Sequence, residues 1–130
     1  MLPVFVYGTL RPGSWNHDRC LAPWLARSSR AARLAGHALH HHGGLPYLVP
    51  DLGGGRVVEG HVADLDAAGY DAAMAALDEL EDVAHRHYDR IEVGLVGGER
   101  AWAWIAGPRI NADLGPATLV DHGDWLRLAG

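Results

Sequence analysis

The stretch Asp66-Ala67-Ala68-Gly69-Tyr70-Asp71-Ala72-Ala73-Met74-Ala75-Ala76-Leu77-Asp78-Glu79-Leu80-Glu81 decides the fold class. Its alanines favour helix, Asp66 is a helix cap, and Tyr70, Met74 and Leu77 recur at helical spacing. Together they predict a helix over residues 66–81. Most of the chain around it reads as short strands. Val4-Phe5-Val6-Tyr7 is a β-branched and aromatic run stopped by Gly8, a buried first strand. Residues 32–40 alternate loosely as a strand. Residues 45–49 form an edge-type strand that tolerates Pro46. In residues 56–65, Val58, Gly60 and Val62 alternate with Val57, Glu59 and His61. Residues 88–96 and 100–106 make a hairpin around Gly97-Gly98. A short helix is expected over residues 15–25 behind Ser14 as cap, packing Leu21, Trp24 and Leu25, with another near Trp125-Leu126. Only one helix occupies a crossover between strands, which argues against a doubly wound parallel sheet. The expected fold is α+β, a small mixed β-barrel with one long and one or two short helices.

The chain has 130 residues, 48% apolar and 21% charged. That suits a single domain spanning 1–130, able to bury about two thirds of its unfolded surface. Disorder is excluded by the apolar content, and a membrane helix by the lack of about 18 consecutive apolar residues. The net charge is −5, and all eleven basic residues are arginines scattered from Arg11 to Arg127. No basic stripe suggests a nucleic-acid partner. The N-terminal residues lack the pattern of a signal peptide, and the lone Cys20 makes no internal disulfide, so a cytoplasmic location is expected.

Two segments carry chemistry. In Tyr7-Gly8-Thr9-Leu10-Arg11-Pro12-Gly13, a glycine directly after a buried strand lets the backbone turn sharply and aim N–H groups at one point, an anion nest. There is no Gly-Lys-Ser/Thr for a phosphate loop, so a carboxylate is the better guest. An ordinary strand-to-turn transition has the same sequence. In the helix, Glu81 falls on the stripe of Tyr70, Met74 and Leu77, while Glu79 points away and Asp78 and Asp82 flank it. A glutamate on the buried face, near the negative end of a helix dipole, has a raised pKa and can take and return a proton. Four acids in six residues also suit a solvated helix end.

Taken in order, Tyr7-Gly8-Thr9-Leu10, Asn16-His17, Pro46, Val58-Glu59-Gly60, Leu77-Asp78-Glu79-Leu80-Glu81 and Tyr88-Asp89-Arg90 make the chain, over residues 3–106, resemble the gamma-glutamylcyclotransferase-like proteins, particularly the branch that includes gamma-glutamylamine cyclotransferases. The resemblance implies a small β-barrel with flanking helices. It also implies cleavage of a gamma-glutamyl amide by attack of the substrate's own α-amine, releasing 5-oxoproline and a free amine. It assigns glutamyl binding to Tyr7, Gly8, Thr9 and Leu10, and general acid/base catalysis to Glu81. Tyr88 is a further binding candidate, although a strand tyrosine and Arg90 both suit structural roles. No cofactor or metal is expected, and the expected partner is a small gamma-glutamyl substrate, with no nucleic acid or membrane. Leu45-Pro46, where the family often has Tyr-Pro, and Ala63, where it often has an aromatic, are candidates for the leaving-group side.

Other features point elsewhere. His40-His41-His42 would alternate faces on a strand, which is poor ligand geometry. Cys20 lacks an activating neighbour in the sequence. The five tryptophans suit the core, with Trp15 close enough to the loop to flank a pocket. Asp121-His122 with Ser14 or Ser28 lacks the elbow of a serine hydrolase. A non-catalytic binder of an acidic metabolite, and a gamma-glutamyl hydrolase, remain the rival readings.

Overall fold

The computed structural model describes residues 1–129 as eight strands, three short-to-medium α-helices and several single helical turns. Strands β1 (Val4–Val6), β2 (Arg30–Ala35), β5 (Val57–Ala63), β6 (Tyr88–Gly94) and β7 (Arg100–Ala106) form one sheet in the order β2-β5-β1-β7-β6. Strands β3 (His37–His42), β4 (Leu45–Pro50) and β8 (Leu119–Val120) form a second sheet in the order β4-β3-β8. The fold is α+β. The two sheets are separate, so the expected barrel does not close. Apart from the β3–β4 and β6–β7 hairpins the strand pairing is non-local, and the alternation of a strand does not reveal which sheet it joins.

β1 is central because nothing in it tolerates water: Val4, Phe5 and Val6 are all buried. It pairs antiparallel with β5 (Val4↔Ala63 to Val6↔His61) and parallel with β7 (Val4↔Trp102). Side chains alternate across its pleat. Val4 and Val6 pack with Leu77, Tyr88 and Trp104 in one core. Phe5 and Tyr7 pack with Leu39, Leu48, Val62 and Trp125 in another. Gly60 is required here, because a Cβ would strike the Phe5 ring and the Val6 carbonyl.

Helix α1 (Tyr70–Leu80) follows a single turn, Ala67–Gly69, capped by the Asp66 carboxylate on the Ala68 N–H. It buries Ala73, Met74 and Leu77. The hairpin of β6 and β7 forms as expected, from Tyr88↔Ala106 to Gly94↔Arg100. Helix α2 (Pro108–Asn111) follows it, and α3 (Trp125–Ala129) lies in the expected region of the tail. No helix among the described residues is long and apolar enough to cross a membrane.

Two expectations are corrected. Residues 32–40 are not one strand: the chain breaks at Gly36 (φ +74°), and the halves join different sheets. Residues 15–25 are not one helix capped by Ser14. They comprise a π-helical turn, His17–Leu21, and a 3-10 turn, Ala22–Trp24. Asn16 occupies the cap position, but its side chain is turned to Thr9 instead.

Candidate active site

β1 delivers Tyr7 and Gly8 to the mouth of the sheet, where the chain turns. The Arg11 N–H donates to the Gly8 carbonyl (3.1 Å), and the Asn16 N–H to the Thr9 carbonyl (3.2 Å). The N–H groups of Gly8, Thr9 and Leu10 donate to no acceptor among the described residues. A Cβ on Gly8 would collide with the Pro46 ring, so only glycine lets this turn lie against β4. Asn16 Nδ2 donates to Thr9 Oγ1 (3.0 Å), and His17 Nδ1 lies 3.0 Å from the Leu10 carbonyl. Arg11 turns away from the site, donating to Asp124 (2.7 Å) and His61 (3.1 Å).

Glu81 closes α1. Its N–H still bonds the Leu77 carbonyl (3.0 Å), so the helix does not fray before it. Asp82 then takes a left-handed conformation (φ 54°) that ends the helix at once. Glu81 is half-buried, and burial alone pushes its carboxyl up to about 7. Glu79 is exposed and Asp78 half-buried, as their helical phase requires.

The turn and the acid meet in a cavity of about 340 Å³. Tyr7, Gly8, Thr9, Leu10, Glu81 and Tyr88 all line it, with Trp15, Asn16, Leu45, Pro46, Asp82, His87 and Trp104 among the other wall residues. Tyr7 is buried and its hydroxyl donates to the Trp104 carbonyl. Burial, then the nearby Glu81 charge, raises its pKa well above the usual phenol value. The Tyr88 hydroxyl donates to the Pro46 carbonyl (2.6 Å), and its ring stacks on Tyr47 (4.8 Å between centroids). Burial is also the main cause raising the Tyr88 phenol. Both phenols therefore stay neutral near pH 7, whereas the buried Glu81 carboxyl is poised there to exchange a proton.

Several wall residues escape the sequence reading. Trp104 faces the cavity while its indole donates to Asp78 (2.9 Å), which also accepts from Arg90 (3.0 Å). Arg90 in turn lies over the Trp102 ring at 4.6 Å. The alternation of Trp102 and Trp104 on β7 could have signalled a shared face. His87, whose Nε2 is 2.7 Å from the Tyr47 hydroxyl, draws notice only for the spacing of His85-x-His87, which could present two nitrogens on one side, and that spacing does not place it on this wall. Leu45 and Pro46 are at the cavity, but Ala63 is not: it is fully buried in the core beside Val4. His40 is bonded to Thr118 (2.8 Å), and no cluster of three or more His, Cys, Asp or Glu among the described residues is arranged to hold a metal ion.

The fold, a mixed five-stranded sheet beside a smaller three-stranded one with α1 packed on it, is shared with known proteins. The family model for gamma-glutamyl cyclotransferase, AIG2-like, matches residues 4–127, and the chain belongs to that family. The match continues through the tail, beyond residue 106. No curated protein matches the chain at a significant level. Among solved structures, YkqA from Bacillus subtilis is 25% identical with a TM-score of 0.69, over 97% of this chain and 40% of that one. The chain thus spans less than half the length of YkqA. An AIG2-like protein from Mus musculus is 24% identical, with a TM-score of 0.70, over 96% of this chain and 88% of that one. A uropathogenic E. coli-specific protein is 17% identical, with a TM-score of 0.73, over 99% and 95%. The last two likenesses speak for the fold alone.

Proposed function

We propose that the protein is a gamma-glutamyl amide cyclotransferase. The observation that carries this reading is the shared cavity: a carboxyl pushed up to about 7 by burial shares it with a turn whose three N–H groups have no acceptor among the described residues. The turn at Gly8, Thr9 and Leu10 grips the substrate's α-carboxylate, with Tyr7 and Tyr88 as neighbouring walls. The glutamyl chain then folds back, bringing its α-amine to its γ-carbonyl, and closing a five-membered ring needs little beyond that orientation. Glu81 takes a proton from the attacking nitrogen. The new C–N bond forms, the bond to the leaving amine breaks, and Glu81 returns the proton to the departing nitrogen. The products are 5-oxoproline and a free amine. Nothing in this sequence of steps requires a metal, a nucleotide or a covalent intermediate.

Incubation with a gamma-glutamyl amide and detection of 5-oxoproline tests the reading. Glu81→Gln is expected to abolish turnover and retain substrate binding, since the side-chain volume hardly changes. Normal turnover by that variant removes Glu81 from the mechanism. Free glutamate as product makes the protein a hydrolase instead, and binding without any product makes it a binder.

A further inference from the structure

We infer that the amine released from the substrate is apolar and carries no carboxylate: an alkyl- or arylalkylamine and not an amino acid. The inference rests on the cyclotransferase reading above. Large apolar side chains rarely stay exposed together without a partner. Here Trp15 is 68% exposed, Leu80 43% and Leu45 39%, and all three line the same cavity. They come from separate places: Trp15 from the loop after β1, Leu45 from the start of β4, and Leu80 from the last position of α1. A ligand that enters past them covers them.

Charge narrows the choice further. The acids on the cavity wall are Glu81 and Asp82; among the described residues no arginine lines it, and the chain contains no lysine. The Nε2 of His87 is taken up by the Tyr47 hydroxyl at 2.7 Å. The free donors lie at Gly8, Thr9 and Leu10, and the substrate's own α-carboxylate takes them. A second carboxylate, on an amino-acid leaving group, would meet Asp82 and Glu81 with no cation beside it. Such a placement is disfavoured by repulsion and by unpaired desolvation. An apolar amine has neither problem and gains contact with the indole and the two leucines.

The test compares 5-oxoproline release from gamma-glutamyl phenethylamide, gamma-glutamyl methylamide, gamma-glutamylalanine and ε-(gamma-glutamyl)lysine. The phenethylamide is expected to exceed each of the others in kcat/KM by about tenfold or more. The double variant Trp15→Ser/Leu80→Ser is expected to remove most of that advantage. Release of 5-oxoproline with gamma-glutamylalanine or the methylamide equal to the phenethylamide overturns this inference and leaves the cyclotransferase reading standing. An undiminished advantage in the double variant overturns the role of the rim. No 5-oxoproline from any of the four overturns both readings.

Discussion

Burial has pushed the Glu81 carboxyl up to about 7 from the value near 4.5 that it has in water, so the group changes its charge in the neutral range. Two consequences follow. kcat/KM is expected to rise with pH through an ionisation near 7, as the basic form of Glu81 becomes available, and a pH–rate profile measures it. Stability moves the other way. The folded state holds this proton more tightly than the unfolded chain, so the group's penalty is absent below about 4.5, grows between the two values and is complete above 7. Glu81→Gln is therefore expected to be more stable than the parent above pH 7, by up to about 3 kcal/mol, and nearly equal to it at pH 4. Urea unfolding at the two pH values checks this. The inward face of Glu81 was legible in the sequence because the 3.6-residue period runs unbroken from Tyr70. The role of Asp78 was not, because its partners Trp104 and Arg90 lie on other elements and period alone names no partner.

Between elements, Asp78 joins α1 to the hairpin by accepting from both the Trp104 indole and Arg90. Asp78→Ala leaves that indole without its acceptor, and is expected to cost about 2 kcal/mol in urea unfolding and to lower turnover by loosening the cavity wall. Asp78→Asn keeps an acceptor oxygen and should lose less. The loop after β1 is held in the same manner. Asn16 and His17 fasten it from one side, and the buried Arg11 fastens it to Asp124 from the other. Arg11→Met is expected to cost about 2 kcal/mol, below the range for a fully buried pair because Asp124 keeps some contact with water. Chemical denaturation measures it. The elements themselves were largely legible, α1 and the hairpin best of all. The break at Gly36 was not, since one glycine inside an alternating pattern reads as a tolerated irregularity and not as a change of sheet.

Across the whole molecule, the first strand and the last helix belong to one core: Phe5 and Trp125 share a cluster, and Arg11 reaches Asp124 across nearly the full chain. Burial alone would raise Asp124, but the Arg11 bond and charge outweigh it and hold the carboxyl below its usual range. Its stabilisation is thus present above the ordinary carboxylate value and fades as pH falls through the lower one. The α+β class was legible from the count and order of elements. The division into two sheets was not, because it depends on pairings between residues far apart in sequence. Two of the protein's five tryptophans, Trp15 and Trp104, face the cavity, and Trp15 sits largely in water. A ligand that seats there replaces water around an indole, so intrinsic fluorescence should shift to shorter wavelength on binding. Occupancy then becomes readable in real time, without labels, even in a variant that turns nothing over.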